Sequence, residues 1–311
     1  MKRDDFTDYE AFRASIQQVG GGWLLNGGKN WRWHRTSLAV GDCEIQIGYS
    51  RCGLITQGVS SNDFYSFWIP FKSHVWRHLG GKLDSDNIMV MEPGVEYTVT
   101  SRVADGWHSF CVPKHLIESH TSRDRCSYSY QVAHQQRRAD AIRQLFYRVI
   151  AAVEENPCIE FSPAAKIMEA ELRSLLEPTL VPAEDGGVPP RGRPRVSRRE
   201  IIARSKAALE KFGSEPIHVS DLTTQVGVSE RTLRTTFNEY YQIGPRQYLQ
   251  SRQLHAVRRD LLLSAPAEKT ITDILTRWGV WEFGRFSGLY KRHFGELPSE
   301  TLRRQALNVG R

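Results

Sequence analysis

No stretch of this 311-residue sequence approaches the roughly 18 consecutive apolar residues that a membrane-spanning helix needs. The opening, MKRDDFTDYE, carries charge with no apolar run behind it and does not read as a secretory leader. The expected address is therefore the cytoplasm, with no membrane partner. Cysteine is scarce: Cys43, Cys52, Cys111, Cys126 and Cys158 form an odd set without a C-x-x-C pair. That spacing speaks against a disulfide frame or a zinc site and leaves buried or single surface thiols. Also absent are a P-loop, a G-x-S-x-G elbow and an H-E-x-x-H pair. His74 and His78 stand four apart, but no third ligand is recognisable and the local pattern is not helical. No catalytic residue, cofactor or metal is expected, and the chain does not read as an enzyme.

What is present is the composition of an ordinary globular protein, 40% hydrophobic and 25% charged, at a length suited to two domains. Charge is unevenly spread. Residues 191–311 hold 22 basic and 12 acidic side chains, whereas residues 1–190 hold 20 and 23. A mildly acidic front and a strongly basic back point to the back as the part that meets a polyanion. Between them, residues 178–197 read as a linker, with Pro178, Pro182, Pro189 and Pro190 around Gly186-Gly187. The linker runs into Arg191-Gly192-Arg193-Pro194-Arg195, either a basic tether or an arm for an AT-rich minor groove.

The front half, residues 1–180, divides again. From about residue 20 to 112, turn residues interrupt short runs rich in β-branched and aromatic side chains: 31–40, 44–49, 63–69, 88–91, 96–100 and 107–112. Such spacing suggests a small β-barrel or sandwich. Cys43, Ile45, Ile47 and Tyr49 alternate with polar or small residues, which predicts one face on a core and one on solvent. A barrel with this many aromatics can hold a small-molecule effector. The candidate pocket residues are Trp31, Trp33, Trp68, Phe71, His74 and Trp76, with Arg32, Arg35 and Arg51 suited to an anionic ligand. Two helices follow, within about residues 137–177. One carries Ile142, Leu145, Phe146, Val149, Ile150 and Val153; the other opens at Ser162-Pro163 and carries Ile167, Leu172, Leu175 and Leu176. They are expected to pack partly on the β-domain and partly on a second copy of the chain.

The back half, residues 198–305, reads as all-helical. After a helix over 197–212, residues 219–240 give a short helix capped by Ser220, a turn at Gly227 and a second helix capped by Ser229. The exposed face of that second helix shows Arg231, Arg234 and Thr235. The pattern recurs over residues 271–294, with its turn at Gly279, and a long helix over 245–263 joins the repeats. Two recognition helices on one connecting helix suit successive major grooves, about 34 Å apart on one face of DNA.

Gly244-Pro245, Arg252, Asp273-Ile274, Trp278-Gly279 and the run Phe294-Gly295-Glu296-Leu297-Pro298-Ser299-Glu300 resemble the DNA-binding domain of AraC/XylS-family transcription regulators. Trp278–Thr301, with its Gly-Arg-Phe-Ser core, and Ala256-Val257-Arg258-Arg259 are similar to the subgroup that includes the ethanolamine-operon regulator. The turn Glu92-Pro93-Gly94 is similar to that of the family's cupin-like sensor domains. The resemblance implies an α+β two-domain protein: a cupin-like effector-binding and dimerising β-barrel, then an all-α domain with two helix-turn-helix units. By position, Arg231, Arg234 and Thr235 would read bases from the first unit, and Phe283, Gly284, Ser287 and Gly288 from the second, with Arg285 nearby. Ser229, Lys291 and Arg292 would meet phosphates. Implied partners are promoter DNA, a small-molecule effector, RNA polymerase for an activator, and a second subunit. The sequence departs from the family pattern at Thr223, Leu275 and Val280. Gly284 and Gly288 also remove side chains from the second reading surface, so direct readout is expected chiefly from the first. Two other readings stay open: a dimerising regulator without an effector, and an enzyme delivered to DNA by its basic domain.

Overall fold

The computed structural model describes residues 1–16, 19–26, 32–71, 75–118, 130–180, 196–213, 215–264 and 269–309. Contacts divide the chain into one unit of Met1–Trp23 and Arg32–Pro190 and another of Leu24–Trp31 and Arg191–Arg311. The Arg191–Arg195 run and most of the linker lie outside the described residues, as do Trp31, His74 and Cys126.

The described strands are β1 (Lys2–Phe6), β2 (Val19–Leu25), β3 (Trp33–Val40), β4 (Cys43–Ser50), β5 (Leu54–Ser60), β6 (Phe64–Pro70), β7 (Trp76–His78), β8 (Gly81–Leu83), β9 (Asn87–Met91), β10 (Glu96–Ser101), β11 (Asp105–Pro113) and β12 (Tyr130–His134). They form a seven-stranded sheet in the order β1-β3-β4-β11-β6-β9-β12 and a five-stranded sheet in the order β2-β5-β10-β7-β8. Among the described residues no pairing joins the two sheets, so the expected barrel is open and the domain is a two-sheet β-structure.

The large sheet is buried on both faces, which corrects the expectation of a solvent face on β4. Cys43 and Ile45 of β4, Tyr65, Phe67 and Ile69 of β6, Ile88 and Val90 of β9, and Phe110 and Val112 of β11 share one core. Alternate residues of the same strands, Gln46, Ser66, Trp68, Met89, Met91, Trp107, Ser109 and Cys111, line a cavity on the other face. The two-residue period therefore separates two interiors. In β11, opposite Gly48 in register, Trp107 lies across β4, and a Cβ on Gly48 would overlap its indole.

Helices α1 (Tyr9–Ser15), α2 (Lys114–Glu118), α3 (Gln136–Glu155) and α4 (Pro163–Leu176) complete this unit. The expected stripe of α3, from Ile142 to Val153, is buried against the outer face of the large sheet, and Leu172 and Leu176 of α4 join it. Ser162 caps α4 by accepting the Ala164 N–H at 3.2 Å. Ile167, expected in the buried stripe, is 70% exposed, because α4 turns Ala165, Glu169, Leu172 and Leu176 inward instead. Glu169, though buried, is satisfied: its carboxylate accepts the Asp42 N–H at 2.7 Å and pairs with Lys166.

The second unit contains α5 (Arg198–Phe212), α6 (Val219–Val226), α7 (Glu230–Tyr241), α8 (Pro245–Leu263), α9 (Ile271–Arg277), α10 (Phe283–Phe294) and α11 (Pro298–Val309). Its core is the inward side of each: Ile201 and Leu209, Leu222 and Val226, Leu233 and Phe237, Leu254, Val257 and Leu261, Ile274 and Leu275, Phe286 and Tyr290, and Leu302.

Candidate nucleic-acid interface and ligand cavity

Both helix pairs are built by local chemistry that the sequence specifies. In the first, the expected cap at Ser220 is corrected to His218, because Asp221 reaches back to accept the His218 N–H at 2.8 Å and starts the helix two residues earlier. Helix α6 ends at Gly227, whose φ of 73° and ψ of 37° lie in the left-handed region. Ser229 then caps α7, its hydroxyl accepting the Thr232 N–H at 3.2 Å. In the second pair, Asp273 accepts both the Thr270 N–H at 2.9 Å and its hydroxyl at 2.6 Å. These bonds hold the Asp273 carboxyl below its ordinary pKa. The turn falls at Gly279, with φ 68°.

Leu233, Thr236, Phe237, Tyr240 and Tyr241 face the interior of α7. Arg231, Arg234 and Thr235 consequently share its exposed side. Neither arginine has a hydrogen bond or ion pair among the described residues, so each guanidinium presents its fork to an incoming ligand. Such a fork matches the O6 and N7 edge of guanine. Ser229, expected at a phosphate, has its hydroxyl committed to the cap; the first-turn N–H groups of α7 are left to serve an anion there.

Helix α10 presents Phe283, Gly284, Arg285, Lys291 and Arg292 to solvent, with Ser287 and Gly288 half-buried. Arg285 pairs with Glu282 at 3.0 Å. At Gly284 and Gly288 this face has no side chain to offer a hydrogen bond. The sequence reading missed Trp281, which stands 73% exposed just before α10.

Helix α8 is the common spacer. Arg252 donates to the carbonyls of Leu209 and Gly213 at 2.8 and 3.3 Å, holding α5 and with it the first pair. The adjacent Gln253 donates to the Trp278 carbonyl at 2.8 Å, and Asp260 accepts the Trp278 indole N–H at 2.8 Å, holding the second. Arg258, 2% exposed, pairs with Glu296 at 2.6 Å and lies 4.6 Å over the ring of Phe294. The two pairs also touch directly, since a Cβ on Gly279 would overlap the ring of Pro216. Their separation is thus fixed by one helix, the polar ties made by Arg252, Gln253, Arg258 and Asp260, and one close contact.

In the first unit, the inner face of the large sheet and residues of the small sheet enclose a cavity of about 60 Å³. Trp68, Trp76, Trp107, Tyr97, Met89 and Met91 dominate its wall, and Gln46, Thr56, Ser66 and Ser109 supply polar atoms. Among the described residues that line it, none is charged. Two expected pocket residues, Trp33 and Arg35, are elsewhere. Trp33 stacks on Phe12 at 5.3 Å, and Arg35 ties β3 to the Ser15 carbonyl and to Asp4. Arg32 and Arg51 are exposed, and Phe71 packs on His108 at 4.6 Å. His108 is buried and its pKa falls to about 3 through desolvation. Burial likewise pushes the thiols of Cys43 and Cys111 up to about 12 and that of Cys52 to about 11, which leaves them unreactive.

Residues 222–304 match the family model described as a helix-turn-helix domain. The chain is 36% identical over 110 residues to the probable thc operon regulatory protein of Rhodococcus erythropolis, covering 35% of this chain and 33% of that protein. It is 34% identical over 116 residues to XylDLEGF operon transcriptional activator 1 of Pseudomonas putida, covering 35% of each. The chain thus spans about a third of the length of the curated relatives it matches. Among solved structures, the AraC-like transcriptional activator CuxR is 13% identical with a TM-score of 0.43, over 89% of this chain and all of that one. The matched region is a helix-turn-helix domain, and the curated relatives that align with about a third of this chain are named as operon regulators.

Proposed function

We propose that this chain is a sequence-specific transcription regulator of the AraC/XylS kind, an activator whose C-terminal unit binds promoter DNA and whose N-terminal unit senses a small uncharged molecule. The observation that carries it is the pair of recognition helices held on α8, the first with two uncommitted arginine forks. Arg231, Arg234 and Thr235 read base edges; Lys291, Arg292 and the N-terminus of α7 hold phosphates, which position without specifying. RNA polymerase is the partner of an activator, and the exposed Phe161 and Ile167 are suited to a second copy of the chain.

These roles separate in a binding experiment. Arg234→Ala costs about 1–3 kcal/mol on the preferred duplex and relaxes preference at one base. Arg292→Ala weakens preferred and random duplexes alike and lowers the slope of log affinity against log salt by about one. If both variants lose the same factor on both duplexes, the division of labour is wrong.

The uncharged character of the effector follows from the cavity wall. A buried carboxylate or ammonium there would meet no counter-charge, at a cost that a few hydroxyls do not offset. The volume admits only a few water-sized groups as the side chains stand. Among neutral compounds of a few heavy atoms and their carboxylate counterparts, a neutral compound is expected to raise the melting temperature, with stabilisation of about 2.7 kcal/mol at 100 times its dissociation constant. Stabilisation by the carboxylates alone would count against the assignment.

A further inference from the structure

Gly284 is exposed and Gly288 half-buried on α10, and among the described residues no contact asks for glycine at either place. A Cβ at Gly284 would meet no atom within 4 Å, and one at Gly288 would meet only the end of Arg292 at 3.7 Å. Neither residue has a positive φ. Glycine inside a helix weakens it relative to alanine, so two of them spaced one turn apart carry a cost that no internal contact recovers. The demand for a bare surface must come from something that approaches α10 from outside.

The surroundings say what that is. Just before the bare strip and at its start stand two exposed large apolar side chains, Trp281 at 73% and Phe283 at 38%. The same helix and the end of α9 expose Arg285, Lys291, Arg292 and Arg277, the last paired with Asp260 at 3.6 Å. The acidic group nearest in sequence, Glu282, is paired with Arg285 at 3.0 Å. An apolar edge set among cations fits a polyanion that also shows apolar groups in its recognised surface. The major groove of DNA is such a surface, because each thymine projects a 5-methyl group there, and apolar side chains contact it.

Resting on the reading of the chain as a DNA-binding regulator, we infer that the second helix-turn-helix unit selects sequence by apolar contact. The backbone of α10 at Gly284 and Gly288 lies close against the groove, and Trp281 and Phe283 cover thymine methyl groups. The two units then read different chemistry: guanine edges by the arginines of α7, thymine methyls by the aromatic edge of α10.

The test uses the full chain and the duplex it selects from a randomised pool. Each thymine in the groove that faces the second unit is replaced singly by deoxyuracil, which removes only the methyl. Wild-type protein is expected to lose about fourfold in affinity at one or two thymines, the equivalent of ~0.8 kcal/mol for one buried methyl-sized group. Trp281→Ala, whose side chain is too exposed to matter to folding, loses affinity on the thymine duplex and no longer responds to uracil at those positions. Gly284→Ala raises the melting temperature, as alanine should in a helix, yet weakens binding tenfold or more. The inference is overturned if no uracil substitution changes affinity, if Trp281→Ala keeps the uracil response, or if Gly284→Ala binds as tightly as wild type. A chain that selects no sequence from the pool contradicts the regulator reading itself, whereas specific but methyl-blind binding contradicts this inference alone.

Discussion

Glu296→Ala destabilises the C-terminal unit by about 3–5 kcal/mol, the range for removing one partner of a buried ion pair, read as a fall in the urea midpoint. The size follows from where Arg258 sits. Its side chain is 2% exposed in the middle of α8, with the guanidinium 2.6 Å from Glu296 and stacked over Phe294. The same carboxylate oxygen accepts the Thr301 hydroxyl at 2.8 Å, and Thr301 is bonded to Tyr290 at 2.9 Å. One carboxylate therefore joins α8, α10 and α11. Without it a permanently charged, buried group loses the carboxylate that faces it at 2.6 Å. The partner experiment replaces both charges: with Arg258→Met added to Glu296→Leu, much of the loss is recovered, since apolar groups of similar volume need no solvation. A Glu296→Ala protein within about 0.5 kcal/mol of wild type, the range of ordinary surface changes, would show that the pair is solvated and the network dispensable.

Gly279→Ala is the second large effect, and it reaches both stability and DNA binding. The φ of 68° alone costs an alanine about 1–2 kcal/mol. Overlap with the Pro216 ring adds a further cost of about 1–3 kcal/mol, typical of overpacking. Gly227 is the internal control: its φ is similar, but a Cβ there meets nothing within 4 Å. Gly227→Ala should thus show the backbone cost without the clash. Because Pro216 precedes α6 and Gly279 turns α9 into α10, relieving the overlap shifts one helix pair against the other. Affinity for a duplex that engages both should fall further than stability does. Pro216→Ala combined with Gly279→Ala removes the Cγ that lies 2.1 Å from the added Cβ but keeps the Cβ at 2.8 Å, and should recover part of the clash portion alone. If the two substitutions simply add, the close contact does not set the spacing.

How much of this was legible depends on whether the decisive chemistry was local. Caps and turns were largely readable: Ser162, Ser229, Gly227 and Gly279 stand where their residue types place helix ends. His218 was not, because the bond that starts α6 is made by the Asp221 side chain three residues on, and Ser220 offered a more familiar cap. The stripe of α3 was legible since its period matches a helix lying on one surface. In β4 the period was right but its meaning was not: alternation cannot tell solvent from a second interior, and Gln46 faces the cavity. Arg35 read as an anion ligand because a sequence does not show that Ser15 and Asp4 fold back onto β3. Arg258 read as part of a family signature; its burial follows from α8, α10 and α11 converging, which no local pattern encodes. The candidate interface was largely readable from Arg231, Arg234 and the two glycine turns, whereas the significance of Trp281 needed the structure to show that no core claims it.

The central claim is that two helix pairs held at fixed separation on α8 dock along the same side of a duplex. Hydroxyl-radical footprinting of the full chain on its selected duplex addresses it most directly. The account predicts two protected windows on one face, centred one helical turn, about 34 Å, apart, with Gly279→Ala weakening one window while leaving the other. A single protected window for the wild-type chain, or two windows on opposite faces, would contradict it.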